Sequence, residues 1–447
     1  MNNNEQGHLK YRKSLQLYAQ AEKLFPYGTQ LLSRNPRMAA FGEAPIYFDH
    51  GKDAHFWDVD GNEFIDCGMG IGPLILGYCY EPVDTAAKKQ IDRGVIGTIN
   101  NGNEIDMAQA ICEMVPCGEM VKFCKGGGEA DAIAVRIARG YTGKDKVLFC
   151  GYHGWHDWYL AANLESDSSL DEHLRPGIIP KGVPSGLVDT SVAFKYNDLD
   201  SLKNALEKNS GKVACIIMEA VRYNHPEKGF LEGVRQLADD HECVLIFDEV
   251  VTGFRMALGG AQEYYGVTPD LATFGKAIAN GFPLAAVAGK EKIMSSQYDN
   301  FISSTYYSET VSLAAGIAVM NELRTKPVLE TLDINGEQLT NGINALAKKH
   351  NLRIKVEGRF SQFHLSFDYG EKNGETETLY MQEMIARGIY CTGGWYMCYT
   401  HTQQDIHDIL AATDETFEIL TKAITHDKVN DMLRVPVREV VFKRRLV

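Results

Sequence analysis

Between about residues 80 and 310, short apolar runs alternate with helix-length stretches, and this alternation restricts the chain to an α/β architecture with a mostly parallel sheet. The runs Val121–Cys124, Lys146–Cys150, Val213–Met218, Cys243–Phe247 and Leu284–Ala288 have strand length. Glu129–Arg139 and Phe230–His241 read as helices between them. The runs end in polar or glycine-containing turns, which is where an open α/β sheet places its ligands.

The flanks are patterned differently. Leu15, Leu17, Tyr18, Ala21 and Leu24 are spaced for a helix over about Tyr11 to Phe25, stopped by Pro26-Tyr27-Gly28. Ile46–Phe48, His55–Val59 and Glu63–Asp66 read as short strands around the turn Asp60-Gly61-Asn62, a small antiparallel unit. Beyond about residue 311, a helix, the runs Phe360–Phe367 and Tyr390–Cys391 and a helical stretch Gln404–Leu420 mix without regular alternation. A chain of 447 residues exceeds the usual size of one core. We therefore expect an N-terminal arm and part of a small domain over 1–75, a large domain over 76–310 and a C-terminal small domain over 311–447. The basic ending Lys443-Arg444-Arg445 reads as a charged terminus.

Charge and composition exclude some classes of function. Forty-five Lys and Arg against fifty-nine Asp and Glu give a net charge of −14, which argues against broad binding to nucleic acid or anionic membranes. An anion pocket built from backbone N–H groups and one lysine remains compatible with it. The ten cysteines form no Cys-x-x-Cys pair and several sit in apolar runs, as expected of buried thiols in a reducing compartment rather than of a metal centre. Met1–Gly7 is polar and no apolar stretch reaches the roughly 20 residues of a membrane span, so a cytoplasmic protein is expected.

Three places in the α/β region carry chemistry. Val244–Phe247 is a buried run that delivers Asp248 at its C-terminal end. A carboxylate there needs a cationic or hydrogen-bonding partner. A protonated heterocyclic nitrogen satisfies this, as do a metal, a helix cap or an arginine. Leu271–Phe274 leads through Gly275 to Lys276, and a desolvated lysine forms Schiff bases with aldehydes, although most lysines are solvated surface charges. Lys125-Gly126-Gly127-Gly128-Glu129 follows a strand and opens a helix, either as a plain turn or as a phosphate cradle. It lacks the Lys-Ser/Thr of a nucleotide P-loop. Tyr152, after the Lys146–Cys150 run, is placed to cover one face of a planar ring, with Val250 or Val251 on the other, or else to pack locally. His153 and His156 lack a third ligand pattern for a metal hydrolase and read as hydrogen-bonding residues of an aromatic region.

Taken together and in order, Asp58-Val-Asp-Gly-Asn62, Gly72-Pro-Leu-Ile-Leu-Gly77, Arg136-Ile-Ala-Arg-Gly140, Phe247-Asp-Glu-Val-Val-Thr-Gly-Phe-Arg255 and Thr273-Phe-Gly-Lys276 resemble the class-III aminotransferase family of pyridoxal 5'-phosphate (PLP) enzymes, especially its glutamate-1-semialdehyde 2,1-aminomutase-like branch. The resemblance spans nearly the whole chain. It implies a fold-type-I α/β transferase with a mostly parallel seven-stranded sheet in the large domain and a smaller α+β domain from both termini. By this resemblance Lys276 binds the PLP aldehyde, Asp248 pairs with the ring nitrogen, Tyr152 stacks on the ring and Val250 packs beneath it. Gly127 and Gly128 contact the phosphate, and Thr305 reaches the phosphate of a neighbouring subunit, which implies a homodimer with composite sites. Glu219 corresponds to a carboxylate near the pocket, and Arg34 to a substrate-carboxylate arginine. No metal is implied. The family's usual Ser-Gly-Thr is here Gly126-Gly127-Gly128, and its run of small residues after the threonine is here Tyr306-Tyr-Ser-Glu-Thr310.

The implied chemistry is ping-pong transamination. An amino donor displaces Lys276, the freed amine removes the substrate α-proton, and a second carbonyl substrate is aminated. The expected function is an aminotransferase acting on a small biosynthetic carbonyl compound. Because the segment 306–310 departs from the aminomutase pattern, an aminomutase stands second. A noncatalytic PLP-fold assembly protein is a remote third, disfavoured because Lys276 and Asp248 are both present.

Overall fold

The computed structural model describes residues 10–439 except Asp167, Arg175 and Tyr223; the polar start Met1–Gly7 and the basic end Lys443-Arg444-Arg445 lie outside the described residues. The chain packs as two compact units, one combining the segment up to Tyr80 with the chain from Glu330 onward, the other comprising Glu81–Leu329.

In the first unit, β1 (Phe48–Lys52), β2 (His55–Asp58) and β3 (Glu63–Asp66) form the antiparallel meander expected from the sequence. Its turn is held by Asp58, whose Oδ1 accepts the N–H groups of Asp60 (3.0 Å) and Asn62 (2.8 Å), while Gly61 supplies the positive φ of 87°. Asp60 then does a second job. The helix Arg12–Leu24 has no side-chain cap of its own, and the Asp60 carboxylate accepts the N–H groups of Lys13 (2.6 Å) and Ser14 (2.9 Å).

The second unit is built on one seven-stranded sheet. Its strands are β4 (Met120–Cys124), β5 (Lys146–Cys150), β6 (Ser191–Ala193), β7 (Val213–Met218), β8 (Val244–Asp248), β9 (Leu271–Phe274) and β10 (Ala285–Gly289), in spatial order β4-β10-β9-β8-β7-β5-β6. Pairings from β6 through β5, β7 and β8 to β9 are parallel; β10 alone runs against its neighbours β4 and β9. The short β6 and the strand character of Leu271–Phe274 were not among the runs singled out above; at three and four residues they fall below the length at which periodicity discriminates.

The sheet is covered on both faces, which is why its strands read as unbroken apolar runs. Phe149, Ile217 and Ile246 pack with Ile133, Ala134 and Ile137 of the helix Gly127–Thr142. Their neighbours Leu148, Ile216 and Leu245 point the other way, into Leu202 and Leu206 of the helix Leu199–Lys208 and Leu231 and Val234 of the helix Phe230–Asp240. Each such fully buried side chain contributes about 1.5–3 kcal/mol of transfer free energy. The helix Gly127–Thr142 begins two residues before the predicted Glu129, because Gly126 serves as its extended cap, and it ends on Gly143 at a φ of 66° with a 2.9 Å bond from the Gly143 N–H to the Arg139 carbonyl.

The first unit is completed by the antiparallel pair β11 (Ile354–Arg359) and β12 (Gln362–Phe367), by β13 (Ile389–Tyr390) parallel to β3, and by β14 (Trp395–Tyr396) on β12. The helix Gln403–Thr425 starts on a capping box between Thr402 and Asp405. No helix among the described residues is long and apolar enough to cross a membrane.

One buried acid anchors the loop after β8. Glu249 is fully buried and accepts the N–H groups of Ala261 (2.8 Å) and Gln262 (2.9 Å) and the hydroxyl of Thr252. Burial pushes its carboxyl upward, and these donors oppose the shift. The contact closes the loop that carries Val250 and Val251 back onto the sheet edge. Glu249→Ala is expected to lower stability by about 3 kcal/mol, by leaving buried donors unpaired, with Glu249→Gln losing less. Chemical denaturation midpoints of the two variants check this; equal losses would remove the hydrogen-bonding account.

Candidate active site

The C-terminal ends of β4, β5, β7, β8 and β9 lie along one edge of the sheet, and the residues just beyond them line a cavity of about 470 Å³. Gly127 and Gly128 open the helix that follows β4, Tyr152 comes from the turn after β5 and Glu219 from the end of β7. Asp248 is the last residue of β8, Val250 follows it, and Lys276 comes two residues after β9. Register explains the convergence: Met218 pairs with Phe247 and Asp248 with Thr273, so consecutive strands stop at the same level.

Asp248 is 5% exposed and held from several directions. Its Oδ1 accepts the Val250 N–H at 3.0 Å, and its Oδ2 lies 2.8 Å from His153 Nδ1. Asp131, from the helix Gly127–Thr142, brings a second carboxyl beside it. The one ligand atom that each of Asp131, His153 and Asp248 offers lies within 4.8 Å of the others. Burial, and then the negative charge of Asp248, hold the Asp131 carboxyl well above the ordinary range. Glu219 is raised for the same two reasons, although Arg222 Nε, 3.4 Å from its Oε2, works against the shift. Glu219 also accepts the Tyr152 N–H at 3.0 Å, and a side chain at Gly151 would collide with it at 2.6 Å. That glycine, at a φ of 120°, lets the β5 turn pass over the carboxylate.

Lys276 has a φ of 43°, the left-handed region that a residue with a side chain occupies at a cost of about 1–2 kcal/mol. The strain sits at the residue that the sequence singles out. Lining the same cavity, the first-turn N–H groups of Gly127–Thr142 have no intrahelical acceptor. A Cβ at Gly127 would lie 2.7 Å from Val250 Cγ1, and one at Gly128 would lie 3.1 Å from Gly154 Cα, so both glycines are required by close approach. His156 Nδ1, buried and without a hydrogen-bond partner, lies 3.5 Å from that Gly128 position. The cradle therefore offers donors to an anion, the same cavity offers an acid cluster suited to a protonated ring nitrogen, and Lys276 also lines it. This donor set fits PLP.

Other expected residues fall elsewhere. Thr305 is exposed in the turn Thr305–Ser308 and does not line this cavity. Its segment is nevertheless tied to the cradle: Lys125 Nζ meets Glu309 Oε2 at 3.0 Å, and the Tyr307 hydroxyl donates to Glu129 Oε1 at 2.8 Å. Arg34 belongs to the other compact unit, exposed in the turn Leu32–Arg34. Asp131 and the His153–Asp248 contact were missed. A carboxylate on the apolar stripe Ala130, Ile133, Ala134, Ile137 was the available signal for the first.

Residues 38–424 match the model of the family described as aminotransferase class-III. A 3-aminobutyryl-CoA aminotransferase of Cloacimonas acidaminovorans is 35% identical, over 93% of this chain and 99% of that protein. The glutamate-1-semialdehyde 2,1-aminomutase of Methanocaldococcus jannaschii is 34% identical, over 92% and 99%. Among solved structures, the PLP internal aldimine form of the Sphingopyxis sp. MTA144 FumI protein superposes with a TM-score of 0.86 at 25% identity, over 96% of this chain and 100% of that one. The chain belongs to the class-III aminotransferase family and is a fold-type-I enzyme that uses PLP to move an amino group between amine and carbonyl carbons.

Proposed function

We propose that the cavity at the strand ends is the reaction centre and that Lys276 is both its point of attachment for the PLP aldehyde and its proton carrier. The convergence of Lys276, Asp248 and the Gly127 turn on one cavity is the observation that carries this reading. When bound, PLP supplies an electron sink for the charge left when a substrate C–H is broken. Asp248 holds a proton on the ring nitrogen, Tyr152 and Val250 cover the two ring faces, and the N–H groups at Gly127 and Gly128 take the phosphate. The Lys276 amine, once free, takes the proton from the substrate carbon and returns one to the neighbouring carbon. Glu219, whose carboxyl burial and the Asp248 charge push upward, is the candidate carboxyl on the substrate side, with Arg34 as the candidate partner for a substrate carboxylate.

The relatives support placing the aminomutase ahead of the aminotransferase. Proteins named glutamate-1-semialdehyde 2,1-aminomutase recur at 32–36% identity over nine-tenths or more of the chain. We take amino-group exchange within one such molecule as the first reading. A two-substrate aminotransferase is the second, favoured by the 35%-identical aminotransferase and by the Tyr306–Thr310 segment.

We also propose a homodimer in which Thr305 reaches the partner's phosphate cradle. Thr305 stands outside its own cavity, in a segment that carries Phe301 at 85% and Tyr298 at 84% exposure, and Ile99, in the segment after Val95, is 86% exposed. The Thr310 N–H bonds the Val95 carbonyl at 2.9 Å, joining the two segments that carry this surface. Monomers rarely leave such patches uncovered.

Two experiments test these readings. Supplied with glutamate-1-semialdehyde alone, the PLP-loaded enzyme is expected to form 5-aminolevulinate; turnover only when a separate donor and acceptor are present would replace the aminomutase by the aminotransferase. Dimers mixed from Lys276→Ala and Thr305→Ala chains are expected to keep one intact site of every two and to bind PLP there with wild-type affinity. Mixed dimers in which the sole Lys276-bearing site binds PLP as weakly as the Thr305→Ala homodimer would place Thr305 in its own chain's site.

A further inference from the structure

The carboxyl of Asp131 has no part in the chemistry above, yet it is 2% exposed and lies against the one carboxylate that the reaction depends on. The Thr273 hydroxyl donates to its Oδ1 at 2.6 Å, and one of its carboxyl oxygens lies within 4.8 Å of one of Asp248. Two carboxyl groups brought together away from water can bond to each other only if one of them carries the proton. Asp248 already accepts the Val250 N–H at 3.0 Å and faces His153 Nδ1 at 2.8 Å, so its partners come from outside the pair. Among the described residues Asp131 has the Thr273 hydroxyl as its donor, with Asp248 beside it.

Building on the PLP reading, we propose that Asp131 is a neutral carboxylic acid that donates its O–H to Asp248, so that the pair presents one negative charge, not two, to the ring nitrogen. Asp131 is then a positioning residue. It fixes the rotation of the Asp248 carboxylate from the side of the helix, while His153 and the Val250 N–H fix it from the loops. It also matches the charge of the acid cluster to the single positive charge of one protonated ring nitrogen. With both acids ionised, two buried negative charges would lie within 4.8 Å of each other.

The groups facing this proton come from every surrounding element: Thr273 on β9, Asp248 on β8, Glu219 at the end of β7, and His153 and Tyr152 after β5. The burial of the Asp131 carboxyl and the charges of Asp248 and Glu219 act in the same direction, toward the neutral acid.

The sign of the pH effect follows. An acid that is neutral in the fold but ionises in the unfolded chain near pH about 4 favours unfolding increasingly as pH rises above that value. Asn is the neutral isostere and lacks this penalty. The full chain is therefore melted from about pH 6 to about pH 8.5, with and without PLP, as wild type and as Asp131→Asn. The melting temperature of the wild type is expected to fall more steeply with pH, leaving Asp131→Asn the more stable protein at the alkaline end. In parallel, PLP affinity is read by absorbance titration. Asp131→Asn, whose amide N–H replaces the acid O–H, is expected to bind within about twofold of wild type, and Asp131→Ala about tenfold more weakly. Parallel melting curves, or an Asn variant that loses stability at alkaline pH and binds PLP as poorly as Ala, would show an ionised Asp131 and overturn the proposal. If the wild type takes up no PLP, the cofactor reading fails on its own, and the melting curves still decide the state of Asp131.

Discussion

A negative charge at the buried end of a central strand is the constraint around which this molecule is arranged. Asp248 closes β8 with its carboxylate almost out of reach of water, and a group in that position is tolerated only with donors on several sides. Its neighbours come from different elements: a backbone N–H from the following loop, an imidazole from the turn after β5, and, within 4.8 Å, a carboxyl from the helix after β4. The loop is locked in turn by the buried Glu249, and the helix by packing against the sheet. The architecture thus keeps the acid in place from all sides except one, and the open side is the cavity.

Function follows from the same geometry. Strand register brings five C-terminal ends to one level, so that residues far apart in sequence, from Gly127 to Lys276, meet around a single space. That space is lined by groups of opposite character. Backbone donors and the unpartnered His156 nitrogen gather at the glycine turn, and carboxyl groups gather at the end of β8. A molecule that carries both an anionic group and a basic ring nitrogen finds partners for each, and Lys276, with its strained backbone, lines the same space.

Much of this was readable before any coordinates. Strands apolar on both faces leave unbroken runs in the sequence, and the chemistry-bearing residues follow directly after such runs, which is why Asp248, Lys276 and the glycine turn stood out. What escaped was whatever depends on the order of strands in space. Asp131 lies on a helix, and nothing local says that β8 ends beneath it; the antiparallel course of β10 likewise depends on its insertion between β4 and β9. Short strands such as β6 give too few residues for any period to show. Thr305 could be flagged only by resemblance, because its proposed role lies in a second copy of the chain. Substrate identity was not legible either, since an amino group is moved by the same lysine whichever molecule carries it.

The central claim is that one lysine of this chain carries the cofactor. The most direct test is to reduce the PLP-loaded protein with borohydride, digest it and locate the pyridoxyl group by mass spectrometry. The account predicts the modification on the peptide containing Lys276 and on no other lysine; a pyridoxyl group fixed at a different lysine, with Lys276 unmodified, would contradict it.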